Sequence, residues 1–317
     1  MPAPRLSIII AVPGTPAQME DTLVSVLQNR PPACEVLVAL NQPYADPYEL
    51  QGEVQFLAAP AGSSLAPMLN LAVARSQAPV LHVLTCGLRV GEGWIEPALS
   101  RFEDPQVAAV VPLVVDRHGR AISAGSAYES RGRVRRLSTS SHDSVPAASR
   151  QTLIDPDFCV AFFRRTALDH VGGFAEFLGD RLTCFDLGLA LQTTGYQCLL
   201  ETECRVLADR RMRDPGGWYR RGRHVEQLFW RWLPQQGRWK HLLQHGWMLA
   251  GDSLRSLARP QKMLQLAGRL SGMLRSTPRR DPASLLLEPR SDEPALKGPY
   301  FARTAKVRKR ETLRKVS

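Results

Sequence analysis

The sequence predicts an α/β fold in which crossover helices cover a parallel sheet. Short β-branched runs alternate with amphipathic stretches through the first half of the chain, which is the order of strands and helices in such a sheet. The chain has 317 residues, of which 44% are hydrophobic, so it can bury one large core or two modest ones. The same composition excludes a disordered chain.

The elements follow one another in a regular order. The second of them, an amphipathic helix, places Leu23, Val26 and Leu27 on one face, as a helix that covers a sheet requires. The predicted elements are strands at 6–12, 35–40, 54–58 and 79–84, with helices at 19–28 and 66–74 between them.

Three loops of this predicted sheet are expected to meet. Ligands of open α/β sheets bind outside the carboxyl ends of the strands. The loops that follow Val12, Leu40 and Leu84 lie at such ends. We therefore expect one crevice to be lined by all three.

The last third of the chain differs from the rest in charge. Residues 210–317 contain 25 Lys and Arg against 8 Asp and Glu, whereas residues 1–209 contain 16 against 22. Five of the six Trp residues also lie after position 209. Arg and Trp together suit an anionic membrane surface. Nucleic acid is the alternative partner for such a basic region. It is not expected, because no nucleic-acid-binding motif accompanies the positive charge.

Apolar positions at helical spacing continue within 218–233 and 241–258, which predicts two or three helices packed on the sheet domain. Their Trp residues either belong to a core or lie on a membrane as those of an interfacial helix do. The predicted organisation is a sheet domain at 1–209, a basic Trp- and Arg-rich helical region at 210–277, and a basic, flexible tail at 278–317.

Two observations bear on the compartment. No apolar run reaches the roughly 18 to 20 residues that cross a bilayer, and the first residues are too short a stretch for a secretory signal. The six Cys residues form no Cys-x-x-Cys pair and have no His partners at zinc spacing, which favours buried free thiols. The sequence predicts a cytoplasmic protein, peripheral at the inner face of the cell membrane.

Segments in order along residues 1–209 carry a family resemblance. They are Leu6-Ser-Ile-Ile-Ile10, Glu35-Val-Leu-Val38, Leu69-Asn-Leu-Ala-Val-Ala74, Gly93-Trp-Ile95, Val171-Gly-Gly-Phe174 and Asp186-Leu-Gly-Leu-Ala-Leu191. Together they resemble family 2 glycosyltransferases. The resemblance implies a GT-A fold, a mixed sheet flanked by helices that binds a nucleotide-diphospho-sugar. It also implies a divalent cation on an acidic motif and a carboxylate base that inverts the anomeric centre.

Nucleotide contacts are implied at the strand ends. The position after the second strand, where the family carries acids that meet the nucleoside, is Asn41 here. Asn70 either contacts the nucleotide or bonds nearby backbone. The implied nucleotide-binding set is Ala11, Val12, Asn41, Asn70, Thr85 and Gly87.

The metal motif lacks its acids. The two acidic positions of the family fall on Thr85 and Gly87, so no metal ligand is predicted and a divalent cation is not expected as a cofactor. Without a cation, the diphosphate charge that develops in the reaction loses a stabilisation of several kcal/mol. Candidates to replace it are the cationic side chains of Arg89, Arg164 and Arg165.

The motif that supplies the catalytic base in the family is also incomplete in this sequence. Its Glu-Asp pair falls on Thr183 and Cys184, and Asp186 is the carboxylate that remains. Asp186 is either the catalytic base or the N-cap of a helix at 187–193. Asp180, in a predicted loop, is the second candidate base.

Three other features have structural interpretations. His82, inside a strand, is predicted to be buried and hydrogen-bonded. Gly172 and Gly173 are predicted to form a tight turn. The Ser- and Arg-rich interval at 116–150 is predicted as a surface loop or β-excursion, whose charge favours an anionic acceptor if it is not merely solvated.

The sequence thus predicts a glycosyltransferase-like protein. It would transfer sugar from a nucleotide-diphospho-sugar to a glycan or lipid-linked acceptor in surface polysaccharide or glycolipid assembly, without a metal. The alternative is a catalytically inactive pseudo-glycosyltransferase that acts as a scaffold or regulator of a protein partner. The enzyme must bind a sugar nucleotide, whereas the scaffold need not.

Overall fold

The computed structural model describes residues 3–12, 15–124, 126–129, 133–136, 160–208, 217–233, 238–256, 260–275 and 277–280. The interval predicted at 116–150 lies only partly within these ranges. Of the predicted tail at 278–317, the ranges include residues 278–280.

The strands within these ranges form one large mixed sheet and one small hairpin. They are β1 (Leu6–Val12), β2 (Cys34–Leu40), β3 (Val54–Ala58), β4 (Val80–Thr85), β5 (Leu88–Val90), β6 (Val107–Val115), β7 (Ala121–Ser123), β8 (Ser126–Glu129), β9 (Arg133–Arg136), β10 (Ala161–Arg164) and β11 (Gln197–Ala208). The order in the large sheet is β3-β2-β1-β4-β10-β6-β11-β5, with β7 paired to β6. The strands β8 and β9 pair with each other, so the Ser- and Arg-rich interval contains a β-excursion.

The sheet is parallel in its first half and mixed beyond it. β1 runs parallel to β2 and β4, and β2 runs parallel to β3. β10 is antiparallel to both β4 and β6, and β5 is antiparallel to β11. The four strands predicted from the sequence are confirmed, each within one residue at either end.

The helices are α1 (Pro16–Asn29), α2 (Leu65–Arg75), α3 (Glu96–Arg101), α4 (Arg165–His170), α5 (Asp180–Thr193), α6 (Gly217–Arg231), α7 (Arg238–Ser256) and α8 (Pro260–Met273). The predicted helices at 19–28 and 66–74 are confirmed as the interiors of α1 and α2. The helix predicted at 187–193 is wrong at its start, because α5 begins at Asp180.

Side chains on both faces of β1 are buried, which places a core on each side of the sheet. Ile8 and Ile10 face the core that α1 covers with Met19. Ile9 faces the opposite core, which α2 covers with Met68. Alternate residues of a strand point to opposite faces, so burial on both sides explains the unbroken apolar run.

The three C-terminal helices confirm the helical region predicted after residue 209. Gly222 of α6 lies against the backbone of Gln265 in α8, and Gly268 of α8 lies against the backbone of Tyr219. A Cβ at either glycine would collide with a main-chain carbonyl. The two helices therefore pack at backbone contact.

The helical region is anchored to the sheet domain through α6. Leu228 of α6 packs in a cluster with Leu178, Leu182 and Phe185 of the α5 segment. These side chains are all at least nine-tenths buried. The prediction that the helices pack on the sheet domain is thus confirmed for α6.

Among the described cysteines, Cys184 differs from the expectation of free thiols, and Cys159 lies outside the described residues. Cys34, Cys86, Cys198 and Cys204 are free thiols, whereas Cys184 is disulfide-bonded. Burial raises the pKa of the Cys198 thiol to about 12, so this thiol stays protonated near neutral pH. No helix among the residues described has both the length and the apolar character that crossing a bilayer requires.

Candidate functional site

The carboxyl ends of β1, β2 and β4 lie side by side. Val12 is the register partner of Leu40, and Ala11 is the partner of Thr85. The backbone N–H of Cys86 also donates to the carbonyl of Ala11, at 3.3 Å. The carboxyl ends of the three strands lie at one edge of the sheet, as predicted, whereas residues 13 and 14 of the loop after β1 lie outside the described ranges.

The turn after β4 is tied to α1. The Gly87 N–H donates to the Thr22 hydroxyl at 2.9 Å, and Gly87 has a φ of +88°, which favours glycine. Thr85 and Cys86 are buried, with 4% and 8% of their surface exposed. The turn at the position where the resemblance implies an acidic motif is thus a packed backbone turn.

This turn does not fit a divalent cation. It offers one hydroxyl and one thiol in place of the carboxylate oxygens that Mg²⁺ or Mn²⁺ prefers. No group of three or more His, Cys, Asp or Glu suited to a metal occurs among the described residues. We derive no catalytic step through a metal ion.

The nucleotide-binding set predicted from the resemblance lies along this edge, except for Asn70 in the interior of α2. Ala11 and Val12 have no exposed surface, so their side chains belong to the core. Asn41 donates from Nδ2 to the Ser63 carbonyl at 2.9 Å and joins the loop after β2 to the loop before α2. Within the predicted nucleotide-binding set, Asn41 has a polar, half-buried side chain and lies in a loop at the carboxyl end of β2.

Asn70 bonds backbone, although not in its own helix. Its Nδ2 donates to the Phe174 carbonyl at 2.9 Å, and its Oδ1 accepts from the Phe174 N–H at 3.0 Å. Nδ2 also donates to Glu176 Oε1 at 2.9 Å. Gly172 and Gly173 precede this contact with φ values of +75° and +71°, which confirms the predicted turn. Asn70 therefore joins α2 to the segment before α5.

Asp180 is the first residue of α5 and not a loop residue, which corrects the sequence-based prediction. Its Oδ1 accepts a hydrogen bond from the backbone N–H of Leu65, at 2.9 Å. Leu65 is the first residue of α2, and a carboxylate at a helix N-terminus is stabilised by the unpaired N–H groups there. Asp180 thus lies at the starts of two helices.

Asp186 is buried in the middle of α5, so its interpretation as a helix N-cap is wrong. Its Oδ1 accepts from Arg231 Nε at 2.6 Å and from Trp232 Nε1 at 2.7 Å. Its Oδ2 accepts from Arg280 at 3.0 Å. Burial lowers the pKa of Arg280, and the negative charge of Asp186 opposes that shift. Both oxygens of this carboxylate are therefore bound, Oδ1 by the end of α6 and Oδ2 by the segment that follows α8.

The resemblance aligns the Glu-Asp pair of the base motif with Thr183 and Cys184, two neighbours of Asp186. Thr183 has no exposed surface, and Cys184 is 1% exposed and disulfide-bonded. Neither Thr183 nor Cys184 has a carboxylate, so neither can serve as the carboxylate base that the resemblance implies. The carboxylates near this segment are therefore Asp180 and Asp186.

The arginines considered as substitutes for the metal have structural partners. Arg164 donates to the backbone carbonyls of Val107, Phe102 and Asp104, at 2.8 to 3.0 Å. Arg165 donates to the carbonyl of Ala78 at 2.7 Å. These guanidinium groups stabilise the connections around β10 and α4. Arg89 is half exposed and pairs with Asp21 at 3.4 Å.

His82 is buried and hydrogen-bonded, as predicted. Its Nδ1 lies 3.2 Å from the Ala161 carbonyl, and its ring stacks on Phe162 with centroids 3.8 Å apart. Burial lowers the pKa of His82 to about 3, so the ring is neutral at physiological pH.

Sequence reasoning missed the partners of Asp186. Arg231, Trp232 and Arg280 lie 45 to 94 positions away along the chain. The signal in the sequence was the basic, Trp-rich composition after residue 209, which we interpreted as a membrane-binding or core feature. Composition alone does not identify which arginine faces a buried carboxylate.

Neither a protein-family model nor a curated protein matches this sequence. The structure, in contrast, resembles solved glycosyltransferases. Crystalline GalNAc-T7 with UDP, GalNAc and Mn²⁺ superposes with a TM-score of 0.57 at 14% identity. The match covers 74% of this chain and 49% of that one, so this chain spans about half the length of GalNAc-T7. The chain has a GT-A fold.

A second neighbour extends the comparison over more of the chain. The mannosyltransferase PcManGT from Pyrobaculum calidifontis, in complex with GDP-Man and Mn²⁺, superposes with a TM-score of 0.53 at 12% identity. That match covers 86% of this chain and 88% of that one. Both neighbours were solved with Mn²⁺, whereas the GT-A domain described here has Thr85, Cys86 and Gly87 at the end of β4.

Proposed function

We propose that this protein binds a nucleotide-diphospho-sugar in the crevice at the carboxyl ends of β1, β2 and β4. The observation that carries the proposal is the parallel alignment of these three strand ends within a GT-A sheet. Open α/β sheets bind their ligands at this edge. Asn41 and the backbone around Ala11, Val12, Thr85 and Gly87 are the groups we assign to the nucleotide.

The proposed reaction is transfer of the sugar to a glycan or lipid-linked acceptor, in surface polysaccharide or glycolipid assembly. It proceeds without a metal, because the residues after β4 provide no carboxylate ligands. Asp180 is the better candidate for the base. It lies at the start of α5, half-buried, whereas Asp186 is fully buried and bound to Arg231.

The engagement of Asp186 favours a second candidate function. Both oxygens of Asp186 are bound by arginines and the side chain has no exposed surface, so it is not placed to contact an acceptor. With Thr183 and Cys184 at the base positions, the chain is then a catalytically inactive pseudo-glycosyltransferase that acts as a scaffold or regulator of a protein partner.

We further propose that the protein works in the cytoplasm, peripherally at the inner face of the cell membrane. The support is the charge and Trp content of residues 210–317. This location suits a lipid-linked acceptor but is independent of the chemistry at the crevice.

Calorimetric titration with a panel of nucleotide-diphospho-sugars, with and without Mn²⁺, tests the proposal. We expect saturable binding of one donor that is unchanged by a chelator. Binding that requires Mn²⁺ would contradict metal independence. A folded sample that binds none of the donors would reject the transferase and favour the scaffold. Donor binding without hydrolysis or transfer would indicate a silent site.

A further inference from the structure

The C-terminal helices leave an apolar surface uncovered among the residues described. On α7, Trp239, Leu243 and Trp247 have 76%, 65% and 79% of their surface exposed. They are spaced four residues apart, so they lie within an arc of roughly 80° on the helix. Gly246 and Ala250 share this arc and are exposed as well. The face defined by these five residues, the α7 stripe, carries no polar side chain.

The opposite side of α7 is fixed to the rest of the protein. His245 is 4% exposed, and its ring stacks on Phe229 of α6 with centroids 3.7 Å apart. Its Nε2 lies 2.9 Å from Glu226 Oε1. His245 is about 200° around the helix from the middle of the stripe. These contacts set the rotation of α7 so that the stripe faces outward.

The neighbouring helix α8 also combines residues packed against α6 with exposed apolar side chains. Gly268 and Gly272 face α6 in backbone contact. Met263, Leu264 and Leu270 are 53% to 55% exposed. Large exposed apolar surfaces of this kind mark sites of interaction. The helix that contacts α7 thus exposes apolar side chains as well.

The positive charge around these helices favours binding to an anionic surface. Lys240 lies beside the α7 stripe and Lys262 lies at the start of α8. The described residues after position 208 include twelve Lys and Arg, of which Arg231, Arg269 and Arg280 are largely buried in ion pairs. The same ranges contain two acids, Glu226 and Asp252, and Glu226 is fully buried. Trp with surrounding cations is the pattern of helices that lie at a bilayer interface.

We propose that α7 and α8 dock the protein on an anionic bilayer, with Trp239, Leu243 and Trp247 inserted at the level of the lipid headgroups. This inference rests on the peripheral membrane location proposed above and names the surface that would be responsible for it. A second copy of this chain is a weaker match, because it would bring two strongly basic regions together. Anionic lipid neutralises this charge while it covers the apolar side chains.

Sedimentation of the full chain with vesicles tests this docking surface. We expect binding to vesicles of phosphatidylcholine and phosphatidylglycerol at 7:3, and much weaker binding to phosphatidylcholine alone. The triple variant Trp239→Ser, Leu243→Ser, Trp247→Ser should bind at least about a hundredfold more weakly, since three large apolar side chains no longer leave water. Tyr48→Ser, which removes a 61% exposed ring from the sheet domain, is the control and should bind as wild type does.

The depth of insertion gives a second readout. Vesicles brominated in the acyl chains should quench the Trp fluorescence of the wild type. Trp239→Phe with Trp247→Phe should keep most of the binding and lose most of the quenching, because Phe preserves apolar area but removes the fluorophore. Circular dichroism checks that each variant is folded.

Three results would overturn the proposal. The first is failure of the wild type to bind the anionic vesicles. The second is equal vesicle binding by the triple variant, which would mean that charge alone attracts the protein. The third is a wild-type dimer that the triple variant loses while its vesicle binding is unchanged, which would assign the stripe to a second copy of this chain. None of these results depends on donor binding, so the sugar-transfer proposal succeeds or fails separately.

Discussion

Asp186 and Arg231 form a buried ion pair, with 2.6 Å between Oδ1 and Nε, that joins the sheet domain to the helical region. The carboxylate has no exposed surface, and the guanidinium is 11% exposed. Trp232 and Arg280 complete the set of hydrogen bonds to the same carboxylate. The residue that resembles part of a base motif is therefore, in this protein, a structural link between two regions.

Arg231→Ala should destabilise the protein by about 3 to 5 kcal/mol, because it leaves the buried Asp186 carboxylate short of a partner. Urea unfolding followed by circular dichroism measures the change. Arg30→Ala is the matched control: it breaks an exposed pair with Glu53 at 2.9 Å and should cost less than about 1 kcal/mol. Equal unfolding midpoints for Arg231→Ala and the wild type would contradict the structural role of the pair.

Gly222→Ala and Gly268→Ala should each separate α6 from α8, because the added Cβ meets a backbone carbonyl that cannot move independently of its helix. We expect losses of about 1 to 3 kcal/mol or more in thermal unfolding. Gly246→Ala is the control, since nothing lies within 4 Å of its Cβ position on α7. That change should be neutral or stabilising by up to about 1 kcal/mol. A similar loss in all three variants would indicate that backbone contact does not decide this packing.

Asp180→Asn separates the two roles of this residue. The amide oxygen can still accept the Leu65 N–H, so the fold should change little. If Asp180 is the base, turnover should fall by roughly 10² to 10⁴ while donor affinity is retained. Transfer assays beside calorimetry measure the two quantities, with Asp169→Asn as a surface control. Unchanged turnover would remove Asp180 from the mechanism.

His82 should make the protein less stable in acid. The ring is buried and neutral in the native state, where burial lowers its pKa to about 3, whereas an unfolded His titrates near about 6.5. Between these two values the unfolded chain binds one more proton, so stability falls as the pH falls through this window. The slope contributed by His82 approaches about 1.4 kcal/mol per pH unit.

Urea unfolding from pH 7 to pH 4 measures this slope. His82→Phe should flatten it, since Phe keeps a ring against Phe162 without a titrating nitrogen. His118→Gln, at an exposed position, should leave the slope unchanged. An identical slope in His82→Phe would mean that other groups cause the acid sensitivity.

The parallel part of the sheet was predictable because its signals are local. In β1, Ile8, Ile9 and Ile10 are all buried, and only a strand covered on both faces tolerates such a run. The start of α5 was missed for the same reason. The Phe-Asp-Leu at residues 185–187 has the sequence of a cap, whereas the true start follows Gly179, which makes no side-chain capping bond. Local capping chemistry does not identify a helix start that tertiary packing fixes.

The sequence by itself determined the α/β order, the meeting of the ends of β1, β2 and β4 at one edge, and the basic helical region, because periodicity and charge are properties of neighbouring residues. Only the tertiary structure decided the roles of Asp186, Asp180 and Asn70, whose partners lie 45 to 115 positions away. It also decided which Trp residues pack and which face outward. Hydrophobic pattern constrains which side of a helix is apolar, but the contacts that bury that side form only when distant segments meet.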